Sequence, residues 1–352
     1  MPRSPFGLAL PLLLSLALAA PLSVTPVDAL AKTTQTHTQK AQAQKTQAHA
    51  PARTTAKAAA KTTTNVKTKP KARTVARAAA VGAAGAAVGA AAGKGFQPVH
   101  AYVLMDAQSG RVLDSSNADV VTYPASLTKM MTLLLTFEAI DRGALRLDQE
   151  LPVSVHATRQ KPSRLNVAAG STIRVEDAIL ALTVKSANDV AVVLAEALGG
   201  TEAQFAEMMT AKARALGMTS TTFRNASGLP NKEQRTTARD MAKLSRAVVS
   251  RPQRDYTYFS RTRFDWNGTT VSGHNRLIGK VEGYDGIKTG FVNASGFNLA
   301  GSASRNGQRL IAVVLGGSTA AVRDREVADL LEKGFKGTAK QTVAATDASA
   351  VR

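Results

Sequence analysis

A break in composition near residue 95 limits how much of this 352-residue chain can fold. From residue 32 to residue 94 the sequence is built from Ala, Thr, Gln, Lys and other small residues, with a few valines as the only larger apolar side chains. Such a segment cannot bury enough apolar surface to offset the entropy lost on ordering. We therefore expect 32–94 to be a disordered linker, 95–337 to form the folded domain, and 338–352 to be a disordered tail.

The first 31 residues have the layout of an export signal. Arg3 precedes an apolar run from Phe6 to Ala20, and Ala29-Leu30-Ala31 fits the small-x-small rule for signal peptidase cleavage. We predict a signal peptide over 1–31, so that the remaining chain works in the periplasm or cell envelope. The alternative is that the same run stays uncleaved as an N-terminal membrane anchor.

Positive charge is concentrated in the linker, which carries twelve basic residues and no acidic residue. It therefore supplies +12 of the formal net charge of +20. Basic arms of this kind often bind nucleic acid, but an exported chain does not meet a nucleoid, so we expect no nucleic-acid partner. We expect electrostatic contact with anionic wall polymers or the membrane surface, with an inert solvated linker as the alternative.

The chain contains no cysteine, which excludes disulfides, thiol catalysis and cysteine-ligated zinc. The histidines beyond the linker, His100, His156 and His274, are far apart and form no helix-spaced ligand pair. We therefore predict neither a metal nor another cofactor.

Periodicity and turn signals place strands at both ends of the folded part and helices between them. The predicted strands are Val99–Met105, Arg111–Leu113, Tyr256–Trp266, a short piece at Leu277-Ile278, Gly296–Ser304 and Gln308–Leu315, the last two joined by a hairpin at Asn306-Gly307. The predicted helices are Pro124–Ala139, Val175–Thr183, Asp189–Leu198, Thr201–Leu216, Ala238–Val249 and Val322–Phe335, with Thr201 and Thr237 as predicted caps. This order predicts an α+β fold, in which a largely antiparallel sheet is flanked by helices and carries an inserted all-helical subdomain.

Ser126 and Lys129 are the first candidate catalytic pair, just inside the helix whose start is signalled by Pro124. Residues three apart share a helix face, so the Lys129 amine can reach the Ser126 hydroxyl. The first turn also has backbone N–H groups without intrahelical partners. One segment can therefore supply a nucleophile, a base and half of an oxyanion hole. A serine near a helix start and a lysine reaching solvent is the alternative.

Two further motifs could complete such a site. Ser186-Ala187-Asn188 lies between two predicted helices, where Ser186 could shuttle a proton and Asn188 could bind a substrate amide, although a helix cap is the alternative. Lys288-Thr289-Gly290 could receive a carboxylate, since a charge and a hydroxyl stand beside a glycine that permits close approach. An exposed strand edge is the alternative for that tripeptide.

The order and spacing of these motifs resemble the penicillin-binding protein and serine β-lactamase superfamily, and more closely the low-molecular-mass serine-type D-alanyl-D-alanine carboxypeptidases. The surrounding sequence is similar too, at Ala101–Asp106, Val184–Asp189, Asn225–Pro230, Thr237–Met241 and Gly283–Gly290. The similarity runs from about residue 97 to residue 335.

The resemblance implies that Ser126 attacks the penultimate D-alanine of a peptidoglycan pentapeptide and forms an acyl-enzyme, with Lys129 as the base. Ser186 would help to protonate the departing D-alanine, and Asn188 would position the peptide. The family also implies covalent inhibition by β-lactam antibiotics and a part in peptidoglycan maturation and cell shape.

The resemblance also assigns the substrate carboxylate to Lys288, Thr289 and Gly290. The backbone N–H groups of Ser126 and Phe291 would form the oxyanion hole. Phe291 is a departure, because some relatives have histidine at this place.

Other functions stay open on the sequence alone. A DD-endopeptidase would use the same residues on peptide crosslinks, and groove shape decides between the two. A serine β-lactamase needs efficient deacylation, for which one class uses a glutamate that Arg164-Leu165-Asn166 lacks. A wall-binding module without catalysis is another alternative, and a histidine-based serine hydrolase is less favoured because the sequence has no G-x-S-x-G motif.

Overall fold

The computed structural model describes residues 98–350, with side chains over 98–337. The predicted signal peptide (1–31), the basic linker (32–94) and the predicted start of the folded domain at residue 95 lie outside the described residues. Among the described residues, no helix has the length and apolar character needed to cross a membrane.

A five-stranded antiparallel sheet forms the centre of the described region. Its strands are β1 (Ala101–Asp106), β2 (Val112–Ser116), β7 (Tyr284–Val292), β8 (Gly296–Arg305) and β9 (Gln308–Gly317). They are arranged in the order β2-β1-β9-β8-β7, which makes β7 an edge strand. Two small antiparallel sheets pair β3 (Glu150–Pro152) with β4 (Thr172–Arg174), and β5 (Arg263–Trp266) with β6 (Thr269–Ser272).

Eight helices accompany these strands in the described region. They are α1 (Thr128–Asp141), α2 (Val155–Thr158), α3 (Val175–Leu180), α4 (Asn188–Gly199), α5 (Glu202–Ala215), α6 (Ala238–Val249), α7 (Gln253–Tyr256) and α8 (Ala320–Ala350). Short turns of other helical types occupy Ala125–Leu127, Ala181–Lys185 and Thr257–Ser260.

The central sheet is covered on both faces, so β9 is apolar at successive positions instead of alternating. Leu310 and Val314 pack with residues of α8, whereas Ile311 and Val313 belong to the larger core that contains α1, α4 and α6. A strand buried on both sides is expected to have a continuous apolar sequence. The larger core joins the sheet to the helical segment inserted between β2 and β7, so the two parts support each other.

The predicted fold class is confirmed, and several local signals are confirmed with it. The Thr201 side chain accepts a hydrogen bond from the Gln204 N–H, and Thr237 does the same for Asp240, so both predicted caps start their helices. The inserted segment is mostly helical, but it also contains β3 and β4, which the sequence analysis did not predict.

One predicted strand is wrong over its first half, and a second is wrong altogether. The stretch from Tyr256 to Ser260 is helical, and only Arg263–Trp266 of the predicted strand is extended. Tyr256 and Phe259, three residues apart, stack with a ring separation of 5.7 Å on one helical face. The piece at Leu277 is a turn, because its carbonyl accepts the N–H groups of Lys280 and Val281.

The end of helix α8 and the presence of strand β7 also differ from prediction. α8 continues to Ala350, where we expected a disordered tail from residue 338. Residues 338–350 contain no proline or glycine and several alanines, which have the highest helix propensity. Strand β7 was not predicted, because Gly286 and Gly290 weaken the strand pattern.

Candidate active site

The turn Ala125–Leu127 presents Ser126 at the start of α1. Ala125 has φ of +50°, in the left-handed region that non-glycine residues seldom adopt. Gly228 packs directly against this residue, and a Cβ atom there would lie 1.9 Å from the Ala125 carbonyl oxygen. Ser126, the candidate nucleophile, therefore lies on a constrained turn, against which a neighbouring loop fits only because it has a glycine.

The Lys129 amine is fully buried and touches three groups. Its Nζ atom lies 3.3 Å from Ser126 Oγ, 2.7 Å from Asn188 Oδ1 and 2.6 Å from the Ser227 carbonyl oxygen. A neutral amine has two N–H donors and one lone pair. Donation to Asn188 and Ser227 uses both donors, which leaves the lone pair for the Ser126 hydroxyl proton.

The electrostatic surroundings favour that neutral form. Burial holds the pKa of Lys129 well below its usual value, and the positive charge of Lys288 lowers it further, while Asp189 acts in the opposite direction. Since the charged form is disfavoured, Lys129 can serve as a proton acceptor near neutral pH.

Ser186 and Asn188 lie where one helical segment ends and α4 begins. Ser186 has φ of +60°, and its buried hydroxyl has no hydrogen-bond partner among the described residues. Asn188 bonds to Lys129 through Oδ1, and its N–H donates to the Ser163 carbonyl oxygen at 2.7 Å. Asn188 thus ties Lys129 to the loop between α2 and β4.

Asp189 follows directly and is a functional residue that the sequence analysis missed. Its carboxylate is fully buried and accepts the N–H groups of Leu165 at 3.0 Å, Asn166 at 2.8 Å and Val190 at 3.0 Å. It therefore fixes the same loop to the start of α4. Its place in the first turn of a helix is a signal that could have been used.

Lys288, Thr289 and Gly290 lie within the edge strand β7. A Cβ atom at Gly290 would stand 3.0 Å from the Ser126 backbone nitrogen, so the strand passes close beside the nucleophile turn. The Lys288 side chain is buried, and its Nζ donates to the Thr289 carbonyl oxygen at 3.0 Å. Burial, together with the positive charge of Arg323, lowers the pKa of Lys288 to about 7.

A cavity of about 40 Å³ adjoins this part of β7. Lys288, Thr289, His274 and Arg261 are among the residues that line it. Phe291 follows Gly290, and its ring lies 4.4 Å from the Phe297 ring, with about a third of the side chain exposed.

The sequence-predicted residues thus come together from α1, the start of α4 and β7. Hydrogen bonds join Ser126, Lys129 and Asn188, and close backbone approach brings Gly290 to Ser126. Sequence reasoning gave no role to Ser227 or Gly228, although both belong to a segment that carried the family resemblance. Within the described residues, no group of three or more His, Asp or Glu side chains could hold a metal ion.

Comparisons with known proteins give matches to one family. The family model for D-alanyl-D-alanine carboxypeptidase matches residues 96–319. The chain is 32% identical over 239 residues to D-alanyl-D-alanine carboxypeptidase DacF of Bacillus subtilis, which covers 66% of this chain and 61% of DacF. It is 36% identical over 245 residues to DacD of Escherichia coli, covering 67% of this chain and 63% of DacD.

A solved structure shows the same fold. The ampicillin-bound penicillin-binding protein D2 of Listeria monocytogenes superposes with a TM-score of 0.59 at 35% identity, covering 67% of this chain and 96% of that chain. The match covers nearly all of that Listeria chain. It covers only about three fifths of the length of the curated relatives named above.

Proposed function

This chain belongs to the D-alanyl-D-alanine carboxypeptidase family, and we propose that it is itself a serine-type enzyme that removes the terminal D-alanine from peptidoglycan pentapeptides. The observation that carries the proposal is the Lys129 amine, fully buried, held by two acceptors and 3.3 Å from Ser126 Oγ. Burial of an amine costs free energy, so its position beside Ser126 supports a role in which it takes the serine proton.

In the first step, Ser126 Oγ bonds to the carbonyl carbon of the penultimate D-alanine while its proton passes to Lys129. The N–H groups of Ser126 and Phe291 would stabilise the oxyanion. The peptide C–N bond then breaks, and the leaving amine takes a proton through Ser186, whose hydroxyl has no other partner among the described residues. Water next attacks the ester, which releases the shortened peptide and regenerates Ser126.

The substrate carboxylate would bind at Lys288 and Thr289. Gly290 lets the strand lie close to Ser126, so that a peptide placed along β7 has its scissile bond near the nucleophile. Asn188 would hold the peptide in register through its amide. This placement favours a peptide with a free C-terminal carboxylate, and the crosslink-cutting DD-endopeptidase is the other candidate.

Mass spectrometry of muropeptides after incubation with the purified chain tests the proposal. We expect loss of D-alanine from uncrosslinked pentapeptides by the wild type and no loss with Ser126→Ala. If wild type left these peptides intact, the proposal would be wrong. Cleavage of crosslinked muropeptides would favour the endopeptidase.

We further propose that penicillins acylate Ser126 and are released slowly. The Listeria relative named above is described in an ampicillin-bound form. The loop residues Arg164-Leu165-Asn166 offer no glutamate to activate a deacylating water. Intact-mass measurement should detect a stable adduct on wild type and none on Ser126→Ala, whereas rapid penicillin turnover without an adduct would favour a β-lactamase.

Localisation in the periplasm or cell envelope, through the predicted signal peptide or an N-terminal anchor, belongs to the same proposal. The linker 32–94 would then tether the domain electrostatically to wall polymers or to the membrane surface.

A further inference from the structure

The turn that presents Ser126 is held in a conformation that its own sequence does not favour. Ala125 has φ of +50°, in the left-handed region that is sterically disfavoured for any residue with a Cβ atom. Such a residue persists only where the surrounding structure over-determines it. Contacts from outside the turn must therefore hold Ala125 in place.

Asn298 reaches this turn from strand β8 and is fully buried. Its Nδ2 group donates to the carbonyl oxygens of Tyr123 at 3.1 Å and Pro124 at 3.4 Å. These are the last two carbonyl groups before Ala125. The amide therefore fixes both peptide units that lead into the strained residue.

The other side of Asn298 is anchored in the sheet. Its Oδ1 accepts the Gly316 N–H of β9 at 3.1 Å, and its backbone carbonyl accepts from Arg323 Nη1 at 2.7 Å. Ser295 Oγ lies 3.0 Å from Nδ2. A side chain held at this many points can transmit the rigidity of the sheet to the turn.

Sheet register explains why the contact is possible. Asn298 is the cross-strand partner of Gly290, so both positions face the same side of the sheet. Because Gly290 has no side chain, the Ser126 turn lies close above β7, within reach of the Asn298 amide. The glycine that brings the strand to the nucleophile thus also brings the turn to Asn298.

We propose, on the premise of the hydrolase function above, that Asn298 is a positioning residue for Ser126. Its amide holds the Tyr123 and Pro124 carbonyls, which keeps Ala125 left-handed and the Ser126 hydroxyl beside Lys129. Asn298 acts through the turn and forms no bond to the nucleophile itself.

The Asn298→Asp variant of the full chain tests this with a synthetic tripeptide that ends in D-alanyl-D-alanine. Aspartate keeps the side-chain shape and the acceptor for Gly316; its ionised form cannot donate to the two carbonyls, and its protonated form, which burial favours, can donate to only one of them. We expect kcat to fall about 10- to 100-fold, as small misplacements of reacting groups do. KM should stay within about twofold, because peptide binding is untouched.

Ser295→Ala is the matched control, since it removes another hydrogen bond of Asn298 and leaves the two carbonyl contacts in place. We expect its kcat to equal that of wild type. An equal loss of kcat in Ser295→Ala and Asn298→Asp would mean general loosening of the cluster and would overturn the inference.

A rescue experiment distinguishes positioning of the Ser126 turn from a purely structural role of Asn298. Glycine enters the left-handed region without the steric penalty, so Ala125→Gly should recover part of kcat in the Asn298→Asp background. No recovery, or an Asn298→Asp single variant with wild-type kcat, would overturn the inference. If aspartate prevents folding, Asn298→Ser, which is uncharged and too short to reach the turn, is judged by the same outcomes.

Wild-type behaviour separates this inference from the proposed function. A wild type inert towards both the tripeptide and penicillin removes the proposed function. An active wild type with equally active folded Asn298 variants removes only the role of Asn298.

Discussion

At the scale of single residues, the site contains two buried lysines with different tasks. Both have a lowered pKa, chiefly because burial disfavours the charged form. In the proposed mechanism Lys129 must be neutral to accept a proton, whereas Lys288 must be charged to bind a carboxylate. We therefore expect a working pH range above the pKa of Lys129 and below that of substrate-bound Lys288.

A Lys288 pKa lowered by burial to about 7 predicts that binding of the proposed substrate depends on pH. Lys288 is protonated below that pH and becomes neutral above it, so we expect KM for a peptide with a free carboxylate to rise from pH 7 upwards. Steady-state kinetics across neutral to alkaline pH measure this. Lys288→Arg stays charged throughout, so its KM should remain flat, and an unchanged wild-type KM would contradict the prediction.

Asp189 should tune the other lysine. Its negative charge raises the pKa of Lys129, so Asp189→Asn should lower that pKa further. Activity is lost as pH falls through the Lys129 pKa, and we therefore expect the acid limb of the acylation profile to move to lower pH. Penicillin acylation rates as a function of pH measure the shift.

Asp240→Asn is the control for Asp189→Asn, because Asp240 is also a buried carboxylate in the first turn of a helix. Its carboxylate accepts hydrogen bonds from the Ser220 N–H and the Thr221 hydroxyl, and Asp240 is not among the charges that act on the pKa of Lys129. Both variants should lose stability, but only Asp189→Asn should shift the profile. A shift in both, or in neither, would contradict the assignment.

At the scale of elements, the fit between the Ser126 turn and the loop at Gly228 decides the catalytic geometry. Gly228→Ala would place Cβ 1.9 Å from the Ala125 carbonyl oxygen at a φ of +88°. Overpacking and backbone strain together should cost about 3 kcal/mol or more of unfolding free energy. Displacement of the turn should also lower the acylation rate about 100-fold.

Gly217→Ala is matched to Gly228→Ala in backbone conformation, with φ of +73° and no heavy atom within 4 Å of the added Cβ. It should cost only about 1–2 kcal/mol from the left-handed backbone and leave acylation unchanged. Thermal unfolding and penicillin acylation of both variants measure the difference. Equal acylation by Gly228→Ala and wild type would refute the tight fit.

Sequence patterns predicted the elements where the signal is local. Capping at Thr201 and Thr237, the hairpin at Asn306-Gly307 and the apolar α1 all depend on neighbouring residues. Prediction failed where tertiary packing decides, as for Tyr256 and Phe259, whose rings are buried on a helical face. Strand β7 was missed for a related reason: Gly290 permits the close approach to Ser126 and Gly286 packs against Tyr256 and Phe259, both at the expense of strand propensity.

The same distinction holds for the candidate site. Ser126, Lys129 and Lys288 could be named from motifs, because a side chain that performs chemistry must be of a particular type. Asp189 and Asn298 act by hydrogen bonds to backbone groups that are distant in sequence, and such partners cannot be read from spacing. Ser227 contributes only a carbonyl oxygen, which every residue has.

At the scale of the whole molecule, charge is divided between the linker and the folded part. The linker supplies +12 of the net +20. We expect deletion of 32–94 to weaken adsorption of the protein to isolated cell walls at low salt, because Coulomb attraction to anionic polymers is lost. Pull-down with walls at several salt concentrations measures this, and tripeptide hydrolysis should be unchanged by the deletion.

The control is a linker of the same length in which glutamine replaces every lysine and arginine. It removes the charge of the linker and keeps its length. It should adsorb as weakly as the deletion. Adsorption equal to wild type in either variant would show that the linker does not tether the domain.

The burial of Lys129 also ties chemical reactivity to the integrity of the fold. In an unfolded chain the lysine is solvated, regains its ordinary basicity and is protonated at neutral pH, so Ser126 becomes an unassisted alcohol. If penicillins acylate Ser126 as proposed, covalent capture of a penicillin counts only intact molecules. A fluorescent penicillin would then serve as a conformational probe, which reports the surviving native fraction during heating, storage or secretion.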